Sequence, residues 1–138
     1  MAYLVDANVL SEPTKARPDA NVVGWLSAHE GELAVDPIIL GEIRIGVLVL
    51  PSGQKRTQLV QWVTALERVV ECIPWDAAVG RRWAELVAAL RRKGQALPLL
   101  DSMIAATALE HDLTVVTRNV RDFRKAGVRV VDPFSVAT

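Results

Sequence analysis

The chain has 138 residues and is 51% hydrophobic, which suits a single domain over residues 1–138 with a real core and excludes a disordered polypeptide. Lysine plus arginine and aspartate plus glutamate balance at 16 each, so there is no basic coat for nucleic acid, and an anionic substrate needs a local patch or a metal. The lone Cys72 excludes an internal disulfide, and with neither a leader peptide nor an apolar run near the roughly 20 residues of a membrane span, we expect a cytoplasmic protein with no membrane part.

Apolar residues over 2–5 predict a first strand that runs without a turn residue into Asp6, followed by Asn8 and a short helix near Val9 to Glu12. Asp19 suits the cap of a helix over 20–29, with Gly31 closing it. Leu33, Ala34 and Val35 predict a second strand, and Asp36-Pro37 reads as a cap with proline at the first helical position. That helix is expected to reach about Leu50 and to stop at "PSG". Leu59, Val63, Leu66 and Val70 recur at helical spacing. Cys72-Ile73 centres a third strand, stopped by Pro74. Asp76 caps a helix with Val79, Trp83, Leu86, Val87 and Leu90 on one face and Gly94 at its end. A further helix is expected over 101–110, a fourth strand over 113–117 and a fifth over 128–131. Strands separated by helices imply parallel pairing, hence a three-layer α/β/α sandwich around about five parallel strands. Ligands in such sheets sit beyond the C-terminal strand ends, where Asp6 falls.

Four acids attract notice, each with an ordinary alternative. Asp6 suits a site or simply the cap of the following helix. Glu42 has Ile38, Ile39, Ile45 and Gly46 at helical spacing around it, the wrong face for a solvated acid. Burying a lone carboxylate there costs several kcal/mol unless a cation or a partner such as Arg44 offsets it. Asp101 suits a ligand, an N-cap, or both. Asp122 is either a site acid or a loop acid paired with Arg121 or Arg124. Thr117 and Asn119, at the end of the fourth strand, are placed to hydrogen-bond an acid or a bound water. Acids delivered to one sheet edge repel unless a hard divalent cation joins them, and Mg²⁺ or Mn²⁺ prefers oxygen ligands. His29 and His111 with one cysteine make a poor zinc set.

The stretches "YLVDANVLSE", "IILGEIRIGVLVLP", "LPLLDSMIAATALEHDLTVVTRNVRDF" and "VRVVDPF" together resemble the PIN-domain ribonucleases, the toxin half of VapC-type prokaryotic toxin–antitoxin pairs, and most of all their FitB-like branch, in which "TRNxxDF" is typical. The resemblance spans essentially the whole chain. It implies a PIN-like fold and an endoribonuclease dependent on Mg²⁺ or Mn²⁺, with metal ligands on Asp6, Glu42 and Asp101. It leaves the fourth acid open. Many PIN domains carry an acid where this chain has Asn119, and in the FitB-like branch Asp122 is the candidate. Asn8, Thr117 and Asn119 match supporting polar positions. The implied substrate is single-stranded or loop RNA, whose bases are accessible. "TRNVRDFRKAGVR" offers Arg118 and Arg121, then Arg124, Lys125 and Arg129, to its phosphates, whereas Arg91 to Lys93 reads as solvated surface.

Two rival functions fit less well. A catalytically silent PIN-fold module binding RNA or a partner has no need of Asp6, Glu42 and Asp101. A phosphatase or receiver domain also places aspartates at strand ends. The first wants an aspartate where Asn8 stands, and the second wants one ending its third strand, which here ends in Ile73-Pro74. Ile43, Ile45, Val47, Leu48 and Leu50 cannot all point inward from one helix unless it is buried on two sides, and with Trp25, Trp62, Trp75 and Trp83 they suggest a homodimer. The resemblance also implies a small antitoxin, expected to set an arginine or lysine against the acids.

Overall fold

A computed structural model describes residues 2–135. Five parallel strands form one sheet: β1 (Tyr3–Val5), β2 (Leu33–Val35), β3 (Glu71–Cys72), β4 (Thr114–Val116) and β5 (Val130–Val131). Their order is β3-β2-β1-β4-β5. The chain therefore adds strands on one side of β1, then returns to add β4 and β5 on the other. Right-handed crossovers made in opposite directions put their helices on opposite faces of the sheet, giving three layers. The switch in direction lies between β1 and β4, which pair with Tyr3, Leu4 and Val5 opposite Thr114, Val115 and Val116.

The helices among the described residues are α1 (Ala7–Leu10), α2 (Ala20–Ala28), α3 (Pro37–Leu48), α4 (Gln54–Val69), α5 (Ala77–Arg92), α6 (Leu99–His111) and α7 (Val120–Lys125). Aspartates start several of them: Asp19, Asp36 and Asp76 each accept a backbone N–H from the first turn. Leu4, Val5, Ala34, Val35, Val115 and Val116 are fully buried, as expected of strands covered on both faces. Ile39, Ile104, Ala105 and Phe123 pack onto them. The alanines of α6 let that helix lie close to its neighbours. No helix among the described residues is long and apolar enough to cross a membrane.

Several boundaries differ from expectation. Gly31 does not close α2; His29 does, and Gly31 sits inside a 3-10 turn, Glu30–Glu32. α3 ends at Leu48 rather than Leu50, capped by Val49. α6 begins at Leu99 with Pro98 as its cap, so Asp101 lies in the first turn and is not the N-cap. α7 covers "VRDFRK", where no helix was expected: six residues are too few to show a period. The four tryptophans are all partly buried, and three of them make specific contacts within the chain. Trp75 Nε1 donates to Met103 O (3.2 Å), Trp83 Nε1 to Ser102 Oγ (2.9 Å), and Trp25 stacks on His29 at 4.1 Å. In α3, Ile43 and Val47 face the core, but Ile45 (60% exposed) and Leu48 (45%), with Val49 (74%) just past the helix end, face outward. The alternative of a helix buried on two sides is thereby ruled out.

Candidate active site

Asp6 leaves the sheet at the switch point. Its own N–H donates to Val116 O (2.9 Å), which ties the end of β1 to the end of β4. Its Oδ1 accepts from Ala7 N (2.8 Å), so it does cap α1. Its Oδ2 accepts from Thr117 Oγ1 (2.7 Å) and Asn8 Nδ2 (3.3 Å). The two readings of this acid are compatible, because each oxygen serves one of them. Burial pushes its carboxyl above the ordinary range, while the Thr117, Ala7 and Asn8 donors pull it back.

Asn8 and Thr117 join the two strand ends a second time. Asn8 Oδ1 accepts from Arg118 N (3.1 Å), and the fully buried Thr117 accepts from Asn119 N (3.0 Å). Asn119 then reaches two acids at once. Its Nδ2 donates to Asp101 Oδ2 (2.7 Å) and to Asp122 Oδ2 (2.9 Å), bridging α6 and α7. Asp122 pairs with neither Arg121 nor Arg124; its cationic neighbour is Lys125, at 3.9 Å. Asp101 is pushed up to about 6, first by burial, then by the charges of Asp6 and Asp122, against the opposing Asn119 amide.

Glu42 has no such support. Its Oε1 is buried and without a hydrogen-bond partner. Arg44, the partner considered for it, turns away to Glu67 (2.8 Å) and Thr64 (3.3 Å). Burial, then the charges of Asp6, Asp101 and Asp36, push Glu42 up to about 7. It therefore joins the other acids through charge alone.

This donor set fits a hard cation. All its ligand atoms are oxygens, its charges repel one another, and one buried oxygen awaits a partner. Among the described residues no three His, Cys, Asp or Glu side chains stand arranged to enclose an ion. Magnesium does not require that, since it keeps several waters and binds through one or two carboxylates.

The proposed RNA contacts divide. Arg118 is exposed beside the acids, with its guanidinium over the Phe134 ring at 4.4 Å, and Arg121 is exposed on α7. Arg129 is at the wrong end of the sheet. It bonds Asp112 (3.0 Å) and Thr114 (3.3 Å), at the start of β4, away from the strand ends that carry the acids. A groove beside Glu42 is lined by Asn8, Ser11, Lys15, Val47, Lys55 and Trp62. A second, more apolar cleft between α5 and the start of α6, around Trp83, Leu90 and Leu97, contains no carboxylate.

One more buried acid stands at this sheet edge. Asp36 is 0% exposed, with Oδ1 accepting from Ile39 N (2.9 Å) and Oδ2 from Thr107 Oγ1 (2.7 Å). The signal for it was present: like Asp6, it follows a buried strand without an intervening turn.

Fold and site together define a parallel α/β domain with a carboxylate cluster at its topological switch point. The chain belongs to the PIN-domain family, whose model, described as "PIN domain", matches residues 3–128. It is 33% identical to the VapC ribonuclease Y4jK of Sinorhizobium fredii, over 97% of this chain and 99% of that protein. It is also 33% identical to the toxin FitB of Neisseria gonorrhoeae, covering 95% and 97% respectively. Among solved structures, a chain of FitAB bound to an IR36 DNA fragment superposes with a TM-score of 0.88 at 30% identity, over 99% of this chain and 98% of that one.

Proposed function

We propose that this protein is the ribonuclease toxin of a toxin–antitoxin pair, a hydrolase that cuts RNA at the Asp6–Glu42–Asp101 cluster with the help of a divalent cation. The observation that carries the reading is the unpartnered buried oxygen of Glu42 beside two other carboxylates, a costly arrangement that a cation would relieve. Whole-chain likeness to a VapC ribonuclease and to the toxin FitB supports it. Asp6, Glu42 and Asp101 would hold Mg²⁺ or Mn²⁺, directly or through its waters, and Asp122 completes the acidic rim. Bound there, such an ion would supply a water of lowered pKa and offset charge on the phosphate.

The chain's own residues do the positioning. Thr117 and Asn8 hold Asp6 in one rotamer. Asn119 sets Asp101 and Asp122 a fixed distance apart. Arg118, braced on Phe134, and the exposed Arg121 offer cations to the substrate phosphates. The partners that follow are RNA, a cognate antitoxin that sets a basic side chain against the acids, and a second copy of the chain docking through Ile45, Leu48 and Val49.

The test is cleavage of single-stranded RNA by the purified chain with Mg²⁺ or Mn²⁺, with and without EDTA. Cleavage that survives EDTA would overturn the cation's role. RNA that is bound but never cut, with either ion, would favour the silent-module alternative.

A further inference from the structure

Asp36 is a buried acid that this mechanism leaves unused. The register pairs Tyr3 with Leu33 and Leu4 with Ala34, so Asp6 and Asp36 each stand two positions past the last paired residues, on neighbouring strands at the same sheet edge. Their fates differ. Asp36 is closed to solvent and both its oxygens are taken, so it touches neither ion nor substrate.

What it does is join two helices. Through Ile39 N it caps α3, and through Thr107 Oγ1 it grips α6. Thr107 is itself fully buried. A serine or threonine cap has a single oxygen for this work, whereas a carboxylate has two and serves both helices. A hydroxyl donating to a carboxylate at this length is among the stronger hydrogen bonds, and the N-terminus of α3 favours the negative charge. Glu42 lies six residues beyond Asp36 in α3, and Asp101 lies six residues before Thr107 in α6. At about 1.5 Å per residue, each acid is only about 9 Å along its helix from the link.

We propose that the Asp36–Thr107 hydrogen bond is a positioning device that holds α3 against α6 and so sets the separation of Glu42 from Asp101. The inference rests on the reading above, in which those two acids share an ion. Neither Asp36 nor Thr107 is a catalytic residue. Both act through the carboxylates they place, as outer partners of metal ligands do in general.

Four variants test it: Thr107→Val removes the hydroxyl at nearly constant shape, Thr107→Ser retains it, Asp36→Ser keeps the cap but cannot reach Thr107, and Asp36→Asn keeps both contacts with the bond reversed. Each is checked for folding by circular dichroism, titrated with Mn²⁺ by electron paramagnetic resonance, and assayed for kcat and KM on RNA. We expect Thr107→Val and Asp36→Ser to weaken Mn²⁺ binding about tenfold or more and to lower kcat with little change in KM. Thr107→Ser and Asp36→Asn should stay close to the parent. A link that only supports stability would lower the melting temperature and leave Mn²⁺ affinity alone. Parental affinity and kcat in a folded Thr107→Val or Asp36→Ser protein would therefore overturn the proposal. Should the parent bind Mn²⁺ yet cut no RNA, the ribonuclease reading falls while the Mn²⁺ titrations still decide the positioning role. A parent that binds neither Mn²⁺ nor, by calorimetry, Mg²⁺ refutes both.

Discussion

Replacing Glu42 with glutamine should stabilise the ion-free protein at neutral and alkaline pH, and not below about pH 4.5. Folding moves Glu42 from its ordinary 4.5 up to about 7, because the charged form is desolvated and faces Asp6, Asp101 and Asp36. A carboxyl that binds its proton more tightly in the folded state supports folding while protonated. That support is fully present below about 4.5 and is lost as pH rises through about 7. Each tenfold change in proton affinity is worth about 1.4 kcal/mol, which gives Glu42 a ceiling of roughly 3 kcal/mol. The side chain is only partly buried, so solvent screening reduces this to on the order of 1 kcal/mol. For a chain of this size that is about 3–4 °C in melting temperature. The assay is thermal unfolding by circular dichroism in EDTA. At about pH 8 Glu42→Gln should melt about 3–4 °C above the parent, and at about pH 5 the two should coincide. Adding Mg²⁺ at the higher pH should raise the parent and narrow the gap. Equal melting temperatures at both pH values, or a glutamine variant that melts lower at the higher one, would show that Glu42 is not the strained charge described.

Other outcomes follow from the same geometry. Asp6→Asn keeps the Ala7 cap through Oδ1 but removes the charge, so RNA cleavage should fall to background while the circular dichroism spectrum is unchanged; cleavage at the parental rate would refute the mechanism. Ile45→Glu, at an exposed apolar position, should convert a dimer to a monomer in light scattering at micromolar concentration, and a parent that is already monomeric there argues against self-association. Arg44→Ala breaks a partly exposed pair with Glu67 and should cost under about 1 kcal/mol in urea unfolding, because such pairs contribute little. When the cognate antitoxin is co-expressed, alanine in place of its one arginine or lysine seated on the acids should restore cleavage without dissolving the complex. A complex that stays inactive through every such substitution would place control elsewhere.

Local chemistry made much of this protein legible from the sequence. Strands followed directly by Asp6 and Asp36, and the caps at Asp19 and Asp76, rest on neighbouring residues, and all appear in the structure. Thr117 and Asn119 are legible as supports because they are polar groups at the end of a predicted strand. Glu42 was legible through its apolar surroundings on one helix. The exceptions were elements too short for a period to register, as with α7, or ends set by packing, as where α3 stops at Leu48.

The tertiary structure alone decided which partners meet. Thr117 and Asp6 lie 111 residues apart, and Thr107 and Asp36 lie 71 apart. Nothing local chooses between them and other hydroxyls. Only the return of the chain across β1 to place β4 brings Thr117 to Asp6, and only the packing of α6 near α3 gives Asp36 its second bond. The same long-range geometry sent Arg44 to Glu67 instead of Glu42, and it put Arg129 at the far end of the sheet from the acids. Sequence position determines which groups a segment carries and how its backbone turns. Which charges are left without a partner depends on distances through space, and those exist only once the sheet has closed.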